Sequence, residues 1–503
     1  MFTRRRFLQS VPVLLLPGSL HAQPRFSSNP FTLGVASGYP SSSSVALWTR
    51  LIGIDPIPVT VKWELAADEA FKSVVRSGEA LARPEWAHSV HEEVQGLEPD
   101  RWYWYRFTAG DAQSRIGRTR TAPLPTKAAS LRFAFASCQQ YEQGYFGAYR
   151  HIVADDPDFV AFLGDYIYES SWGREPVRSH GTPEPYSLED YRARHALYRS
   201  DPDLQDAHAA CPWIFTWDDH EVDNDYADDR PEDGMDRESF LLRRAAAYRA
   251  YYEHIPLPPR MQPQGPRMQI YGSLDWGTLA RFHILDCRQY RSWQACPRPK
   301  RRGGSNTVDV ATCARIGAPG RSMLGRRQES WLERQLGESR ATWNVIAQTT
   351  AMAQFDQRPG PGRRAWTDGW DGYPAARERL LNTFESKKVN NPVVIGGDVH
   401  CFNVSQLKLD FDDPDSPIVA SEFVGTSITS QAWSQERMNQ YLPDNPHTLL
   451  GDSRYRGYVR VALTPQRWSA DLRTMETVQK RDAPCSTLAT FVVDDGIPGP
   501  VRA

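Results

Sequence analysis

The chain has 503 residues, of which 40% are hydrophobic and 24% charged, a balance typical of globular proteins with room for two or more domains. Aromatic residues make up 11%, which favours β-rich architecture over a helical bundle. The formal net charge is −2, so no basic excess indicates nucleic-acid binding. An anionic substrate must therefore be attracted by local charge, from Arg side chains or a metal ion.

Residues 1–22 predict a signal peptide. Three arginines at 4–6 precede a short apolar stretch at 11–16, and residues 20–22 form a plausible cleavage site. The apolar stretch is too short to span a bilayer, and no later segment has the composition of a transmembrane helix. The arginines followed by Phe7-Leu8 resemble the twin-arginine signal. We therefore expect export by the twin-arginine machinery and a periplasmic or extracellular location.

Residues 25–125 predict an antiparallel β-sandwich. Short runs such as 59–65 alternate apolar and polar positions and are separated by turn residues. The run Trp-Tyr-Trp-Tyr-Arg-Phe at 102–107 resembles the tyrosine-corner strand of immunoglobulin and fibronectin type III modules. Pro123 and Pro125 favour an extended linker after it. This part of the chain is expected to pack beside the working domain and to carry no chemistry.

Residues 130–495 predict an α/β layered core, with central β-sheets flanked by helices. Buried strands at 131–137, 159–163, 213–217 and 392–395 alternate with stretches of helical spacing. Polar, metal-competent residues follow each strand, at the edge of a sheet where ligands bind. The role of the last strands, at about 454–493, is left open by the sequence.

Four of these strand-end motifs together resemble the PhoD-like phosphatase family. The motifs are Ser137-Cys138-Gln139, Gly164-Asp165-Tyr166-Ile167-Tyr168-Glu169, Trp217-Asp218-Asp219-His220-Glu221-Val222-Asp223-Asn224-Asp225-Tyr226 and Gly396-Gly397-Asp398-Val399-His400. The spacing Gly164-Asp165-x-x-Tyr168 is also similar to a signature of purple acid phosphatases. The resemblance implies a metallophosphatase core.

The resemblance also implies Fe³⁺ with one or two Ca²⁺ ions and no other cofactor. It assigns iron to Cys138, Asp165, Tyr168 and His400, and calcium to Asp165, Asp219, Asn224 and Asp398. The donor chemistry agrees, because thiolate, phenolate and imidazole suit iron whereas carboxylate and amide oxygens suit calcium. A shared aspartate can hold two ions roughly 3.5–4 Å apart, as two-metal hydrolysis requires.

Several neighbours leave this ligand set open. Asp223 and Asp225 flank Asn224 with equally good oxygen donors. Asp218 is expected to turn away from the metals more than Asp219, but adjacent residues cannot be separated by sequence. Cys138 remains open as a buried thiol and Tyr168 as ordinary packing.

A metal-bound hydroxide is expected to attack phosphorus while the ions and an arginine stabilise the transition state. Arg288, just past a strand, is the candidate phosphate clamp, and its alternative is a surface salt bridge. His220 is the candidate that protonates the leaving group, and its alternative is a hydrogen-bond partner of the metal ligands.

The predicted function is hydrolysis of small-molecule phosphate monoesters, as in an alkaline phosphatase. The alternative is a phosphodiesterase or phospholipase D-like hydrolase with the same metal centre, because relatives with these motifs cleave diesters. A binding module that has lost catalysis is disfavoured, since Cys138, Asp165 and His400 are all present. A zinc hydrolase is disfavoured because His-x-His-x-Asp-His and His-Glu-x-x-His spacings do not occur.

Seven cysteines, an odd number, leave at least one outside intramolecular disulfides. With Cys138 assigned to iron by the resemblance, six remain, and the sequence does not reveal their pairing. Three of them, Cys287, Cys296 and Cys313, flank a loop rich in Pro, Arg and Gly that a disulfide would stabilise. The remaining three are Cys211, Cys401 and Cys485.

Overall fold

The computed structural model describes residues 25–503, so the predicted signal peptide at 1–22 lies outside the described residues. Eight strands form the N-terminal region: β1 (Val35–Gly38), β2 (Ser44–Arg50), β3 (Val59–Ala66), β4 (Val74–Ala82), β5 (Ser89–Gln95), β6 (Trp102–Ala109), β7 (Ala112–Gln113) and β8 (Gly117–Arg120). β1, β2 and β5 lie in one sheet, and β3, β4, β6, β7 and β8 in another. Along β6, Tyr103, Tyr105 and Phe107 are buried in a shared apolar core, as the alternating pattern predicts.

Sixteen further strands follow. They are β9 (Leu131–Ala136), β10 (Phe159–Leu163), β11 (Trp213–Thr216), β12 (Gly272–Trp276), β13 (Ala280–Ile284), β14 (Thr307–Asp309), β15 (Trp343–Ala347), β16 (Arg364–Trp366), β17 (Pro392–Gly396), β18 (Phe402–Lys408), β19 (Ile418–Val424), β20 (Thr448–Asp452), β21 (Arg456–Leu463), β22 (Arg467–Met475), β23 (Cys485–Asp494) and β24 (Val501–Arg502).

The α-helices are α1 (Ala148–Ala154), α2 (Leu188–Arg199), α3 (Pro202–Ala210), α4 (Arg237–His254), α5 (Gly325–Glu338), α6 (Pro374–Ser386) and α7 (Gln435–Tyr441). Short 3₁₀ helices span Pro84–Trp86, Pro259–Met261, Val310–Thr312, Trp370–Gly372 and Leu442–Asp444. Ser187 and Asp190 form a capping box that starts α2, because each side chain accepts a hydrogen bond from the other's backbone N–H. Within residues 25–503, no helix is both long and apolar enough to cross a bilayer.

A ten-stranded sheet joins the N-terminal region to the core, in the order β24-β23-β22-β21-β9-β10-β11-β1-β2-β5. β9, β10 and β11 run parallel, and β1 continues the sheet by pairing Gly38 with Trp213 of β11. One sheet of the sandwich is therefore the edge of the core sheet. The C-terminal strands, whose role the sequence left open, extend the same sheet on the other side, where β21 pairs with β9.

A seven-stranded sheet in the order β12-β13-β15-β17-β19-β18-β20 forms the second layer. The two sheets share an aromatic core, in which Phe133 of β9 packs edge-on against Phe282 of β13 at 5.3 Å between ring centroids. On the outer face of the second sheet, α5 and α6 bury Leu332 and Phe384 in a cluster with Ile346. The predicted layered α/β core with flanking helices is confirmed.

One disulfide, Cys296–Cys313, closes the loop rich in Pro, Arg and Gly that the sequence predicts a disulfide would stabilise. The other five cysteines of residues 25–503, Cys287 among them, are free thiols. Four of these five are buried, and only Cys485 is partly exposed. The six cysteines other than Cys138 therefore form one disulfide among the described residues, and not three.

Candidate metal centre

The metal-competent residues meet because three parallel strands end at the same level. Ala136 at the end of β9 lies opposite Phe162, and Leu163 at the end of β10 lies opposite Thr216 of β11. The loops that follow are also joined, since the backbone N–H of Cys138 donates to the carbonyl of Gly164 at 3.1 Å. The register places the first residues after each strand side by side.

Two glycines allow these loops to approach one another. Gly164 has φ +97°, and a Cβ at this position would lie 2.6 Å from Cβ of Asp218. A Cβ at Gly397 would overlap Oγ of Ser137, so the loop after β17 touches the loop after β9. Glycine at these positions thus brings ligands from both sheets to one place.

The four residues assigned to iron are brought together. Ligand atoms of Cys138, Asp165 and His400 all lie within 4.8 Å of one another. Tyr168 Oη donates to Asp165 Oδ2 at 2.9 Å and lies 3.1 Å from His400 Nε2. His400 Nδ1 contacts the Gln431 carbonyl at 2.7 Å, which leaves Nε2 directed to the cluster.

The residues assigned to calcium are next to this group. Ligand atoms of Asp165, Asp219 and His220 lie within 4.8 Å of one another, as do those of Asp218, Asp219 and Asp398. Asp165 belongs to the first and to the iron group, which agrees with a bridging position. Asn224 lines a cavity that opens beside these ligands, together with Asp165, Asp219 and His220, and its amide nitrogen donates to Glu232 at 2.5 Å.

Left-handed backbone is concentrated at this centre. Five non-glycine residues of the strand-end loops have positive φ: Cys138 (58°), Asp165 (57°), Asp225 (54°), Asp398 (64°) and His400 (56°). This conformation is uncommon for side-chain-bearing residues and is found at functional sites where the surrounding structure enforces it. The left-handed backbone at these residues is consistent with loops that hold the side chains in fixed directions.

The cluster carries buried oxygens that lack partners. Asp165 Oδ1 and Asp398 Oδ2 are buried and accept no hydrogen bond from the residues the structure describes, whereas Asp219 Oδ1 forms an ion pair with Arg288. Burial raises the pKa of Asp165 and of Asp398 well above the usual carboxyl value. Because unpaired buried carboxylates are costly, these atoms fit bound cations, and the residues present are suited to hold metal ions.

The softer ligands also need a cation in order to ionise. Burial, reinforced by Asp165, raises the pKa of the Cys138 thiol and of the Tyr168 phenol well above their ordinary values. Burial lowers the pKa of His400 to about 3, so its imidazole is neutral and free to coordinate. A metal ion at this position would stabilise the thiolate and phenolate forms.

His220 lies between the metal ligands and the cavity. Its Nδ1 is 2.7 Å from Glu169 Oε2, and its ring lies 4.1 Å from the Tyr168 ring. Burial opposes a charge on His220, but Glu169 and Asp219 raise its pKa well above the usual value. The Glu169 contact leaves Nε2 as the atom that can reach substrate or metal.

Arg288 lies behind the cluster and does not line the cavity. Its side chain is fully buried, with Nε 2.6 Å from Asp218 Oδ1 and Nη1 2.7 Å from Asp368 Oδ2. Nη2 is 3.3 Å from Asp219 Oδ1. This placement differs from the predicted phosphate clamp and from a surface salt bridge, because the guanidinium is a buried counter-charge to several carboxylates.

The neighbours left open by the sequence have separate partners. The Asp218 carboxylate pairs with Arg288, and one of its oxygens also lies within 4.8 Å of ligand atoms of Asp219 and Asp398. Asp223 pairs with Arg243 at 2.9 Å, whereas Asp225 joins Asp219 and Asp368 in a buried group whose ligand atoms lie within 4.8 Å. The sequence indicates Asp225 as a possible metal ligand, because it is adjacent to Asn224. It does not indicate Asp368, which follows the short strand β16 and lies outside the four family motifs.

Glu221 belongs to the motif that follows β11, and the sequence alone indicates no role for it. Its carboxylate is buried and accepts backbone N–H groups of Asp165, Tyr166 and Asp218 at 3.2, 2.6 and 2.8 Å. One side chain thereby ties the loop after β10 to the loop after β11. The sequence shows four consecutive acidic or imidazole side chains after β11, at 218–221. This pattern does not indicate which of the four side chains accepts hydrogen bonds from the loop backbone.

These features define a layered α/β metallophosphatase. Residues 133–472 match the family model of the PhoD-like phosphatase, and residues 18–123 match that of its N-terminal domain. The chain is 48% identical over 491 residues to alkaline phosphatase D of Bacillus subtilis strain 168, covering 94% of this chain and 82% of the relative.

Comparison with solved structures supports the same family and fold. One titled "Structure of PhoD" superposes with a TM-score of 0.90 at 47% identity, covering 95% of this chain and 93% of that one. A purple acid phosphatase from yellow lupin (Lupinus luteus) seeds matches with a TM-score of 0.58 at 13% identity, covering 92% and 73%, and so shares the fold. The chain belongs to the PhoD-like phosphatase family. It is accordingly a phosphate ester hydrolase of metallophosphatase type.

Proposed function

We propose that this chain is an exported alkaline phosphatase that hydrolyses phosphate monoesters with Fe³⁺ and one or two Ca²⁺ ions. The observation that carries the proposal is the convergence of a thiol, a phenol, an imidazole and a carboxylate beside further buried carboxylates. Cys138, Asp165, Tyr168 and His400 would hold iron. Asp165, Asp219, Asn224 and Asp398 would hold calcium. Bound there, the ions would activate water and neutralise charge on the phosphate.

His220 is proposed to protonate the leaving alcohol. Its position at the cavity wall and the Glu169 contact at Nδ1 support the role, because Nε2 then faces the reacting ester. Water oxygen forms a bond to phosphorus as the bond from phosphorus to the alcohol oxygen breaks. The alcohol oxygen takes the proton from His220. One proton of the attacking water stays on the phosphate and the other is released to solvent, from which His220 is reprotonated.

Arg288 is proposed as a positioning residue and not as a clamp. Its two hydrogen bonds to Asp218 and its ion pair with Asp368 support this, since they hold carboxylates that adjoin the calcium ligands. Without the guanidinium these buried charges would repel one another. Arg288 would then influence substrate turnover indirectly, by holding the metal ligands in position.

Export and domain organisation are proposed together. The basic head and apolar stretch of residues 1–22 support twin-arginine export to the periplasm or the exterior. The separate family matches support an N-terminal module at 25–125 and a phosphatase domain at 130–495.

Diester hydrolysis is the second candidate. A cavity of about 680 Å³ extends outward from the metal centre, and no Lys or Arg of residues 25–503 lines it. A phosphodiester carries one negative charge fewer than a monoester and has a second alcohol to place in this space. A wide cavity without lysine or arginine side chains favours such a substrate.

The test compares p-nitrophenyl phosphate with bis(p-nitrophenyl) phosphate, with metal analysis of the same sample. Release of nitrophenolate from the monoester at the higher kcat/KM, in protein that contains iron and calcium, supports the proposal. A higher kcat/KM for the diester favours the second candidate. Hydrolysis of neither ester by metal-replete protein contradicts both.

A further inference from the structure

The cavity in front of the metal centre is rich in carboxylates. Its wall contains carboxylates well outside the metal cluster, among them Glu184, Glu232 and Asp233, while no lysine or arginine of the described part of the chain contributes to it. We therefore expect the phosphate to be bound by the proposed metal ions and His220. The rest of the cavity presents negative charge to the alcohol part of an ester.

Part of this negative charge has no compensating cation. Glu232 pairs with Arg301, but Glu184 and Asp223 share the single guanidinium of Arg243 at 2.6 and 2.9 Å. Asp223 is only 5% exposed, and its Oδ2 has no hydrogen-bond partner within residues 25–503. Asp233 is exposed and makes no ion pair with a described residue. The cavity wall is thus negative at this position.

Aromatic faces line the same cavity. Trp172 is 38% exposed and stacks on His400, with ring centroids 5.7 Å apart and planes 7° apart, so an indole lies directly beside the metal centre. Phe355 and Trp433 form a second pair, at 6.0 Å between centroids. Aromatic faces combined with carboxylates are the environment that binds ammonium groups, and quaternary ammonium above all.

We propose that the preferred substrates are phosphate esters whose alcohol carries a positive charge, such as the phosphate esters of quaternary amino alcohols. The inference rests on the proposed phosphoesterase function and adds the substrate class. The proposed metal ions would bind the phosphate, the indole and phenyl faces contact the alkylammonium group, and Glu184 and Asp233 compensate its charge. An alcohol with a carboxylate or a second phosphate is disfavoured by the same residues.

The experiment compares one ratio between variants, so that differences in leaving-group reactivity do not affect the result. We compare kcat/KM for phosphocholine with kcat/KM for 3,3-dimethylbutyl phosphate, in which carbon replaces the charged nitrogen. The ratio is measured for the wild type, for Glu184→Gln/Asp233→Asn and for the charge-matched control Asp55→Asn/Glu69→Gln, whose side chains are exposed in the N-terminal region. The intrinsic reactivities cancel between variants.

We expect the ratio to fall by roughly 5-fold or more in Glu184→Gln/Asp233→Asn and to keep its wild-type value in the control. In the wild type, raising NaCl should lower the ratio, because salt screens the attraction. A ratio that neither the cavity substitutions nor salt changes overturns the substrate class while leaving the phosphoesterase intact. If the metal-replete wild type also fails to hydrolyse p-nitrophenyl phosphate, the proposed function itself fails.

The cationic alcohol can belong to a free phosphate ester or to the headgroup of a lipid. Phosphatidylcholine in mixed micelles is therefore assayed beside phosphocholine. Hydrolysis of either that depends on Glu184 and Asp233 supports the proposal, and the faster of the two identifies the source. Equal hydrolysis of phosphatidylcholine and phosphatidylglycerol, unaffected by the substitutions, contradicts it.

Discussion

Tyr168 Oη lies 2.9 Å from Asp165 Oδ2, so the phenol and the carboxylate reach the same point from positions three residues apart. Ser430 donates to the same phenol oxygen at 2.8 Å. A metal ion bound by both groups would replace the phenol proton, and the Ser430 hydrogen bond would then stabilise the phenolate. The relationship makes the iron assignment testable by spectroscopy.

The purified native enzyme should be coloured. Phenolate and thiolate bound to ferric iron give a visible charge-transfer band, and Tyr168→Phe should shift or abolish it. Absorption spectra are recorded on iron-replete, active protein. The control is Tyr251→Phe, because the Tyr251 hydroxyl is buried without a hydrogen-bond partner among the described residues. An unchanged band in Tyr168→Phe contradicts the ligand assignment.

Calcium chelation should abolish activity reversibly while iron stays bound. Carboxylate and amide oxygens exchange calcium readily, whereas a thiolate, a phenolate and a shared carboxylate hold iron far longer. Activity and metal content are measured before and after chelation and after addition of calcium. Full turnover after removal of calcium would contradict the mixed-metal centre.

His220→Ala should keep its metal content and lose most activity towards esters with poor leaving groups. Such leaving groups require a proton, and losing general acid catalysis costs about 10²–10⁴-fold. A series of aryl and alkyl phosphates gives the dependence of kcat on the pKa of the leaving group. Glu169→Gln should give a weaker effect of the same kind, because Glu169 orients the ring. Loss of metal from His220→Ala would identify His220 as a ligand.

Arg288→Met should lower stability and metal content together. Removing one partner of a buried ion pair costs about 3–5 kcal/mol, since Asp218 loses the guanidinium that pairs with it, whereas Asp368 keeps its ion pair with Arg291. The thermal midpoint and the bound calcium are measured. The comparison is Arg288→Lys, which retains the charge. A variant with full metal and wild-type midpoint whose KM alone rises would restore Arg288 as the phosphate clamp.

The strand ends of the core could be read from sequence, because each is a buried apolar run followed at once by polar residues. Gly164-Asp165 and Gly397-Asp398 are examples, and their loops meet where Asp165 and His400 lie side by side. The pairing of β1 with β11 could not be read, since it joins Gly38 to Trp213, far apart in sequence. Local patterns predict strands but not which distant strand completes the sheet.

The roles of charged residues within the site were harder to predict. Asp219 and Asp218 are adjacent and chemically equivalent, and only the distance to Arg288 separates them. The position of Arg288 after β13 indicated a residue near the site, but not that its side chain turns inward to the carboxylates. Such choices depend on side chains that arrive from other elements, which one sequence does not reveal.

The most direct test of the metal centre is a metal count on Asp165→Asn beside the wild type. Asp165 is the one residue assigned to both ions, so its substitution should lower iron and calcium together, and activity by at least about 100-fold. Asp219→Asn, as the comparison, should lose calcium and retain iron. Asp165→Asn protein with both ions at full occupancy would contradict the bridged iron–calcium centre.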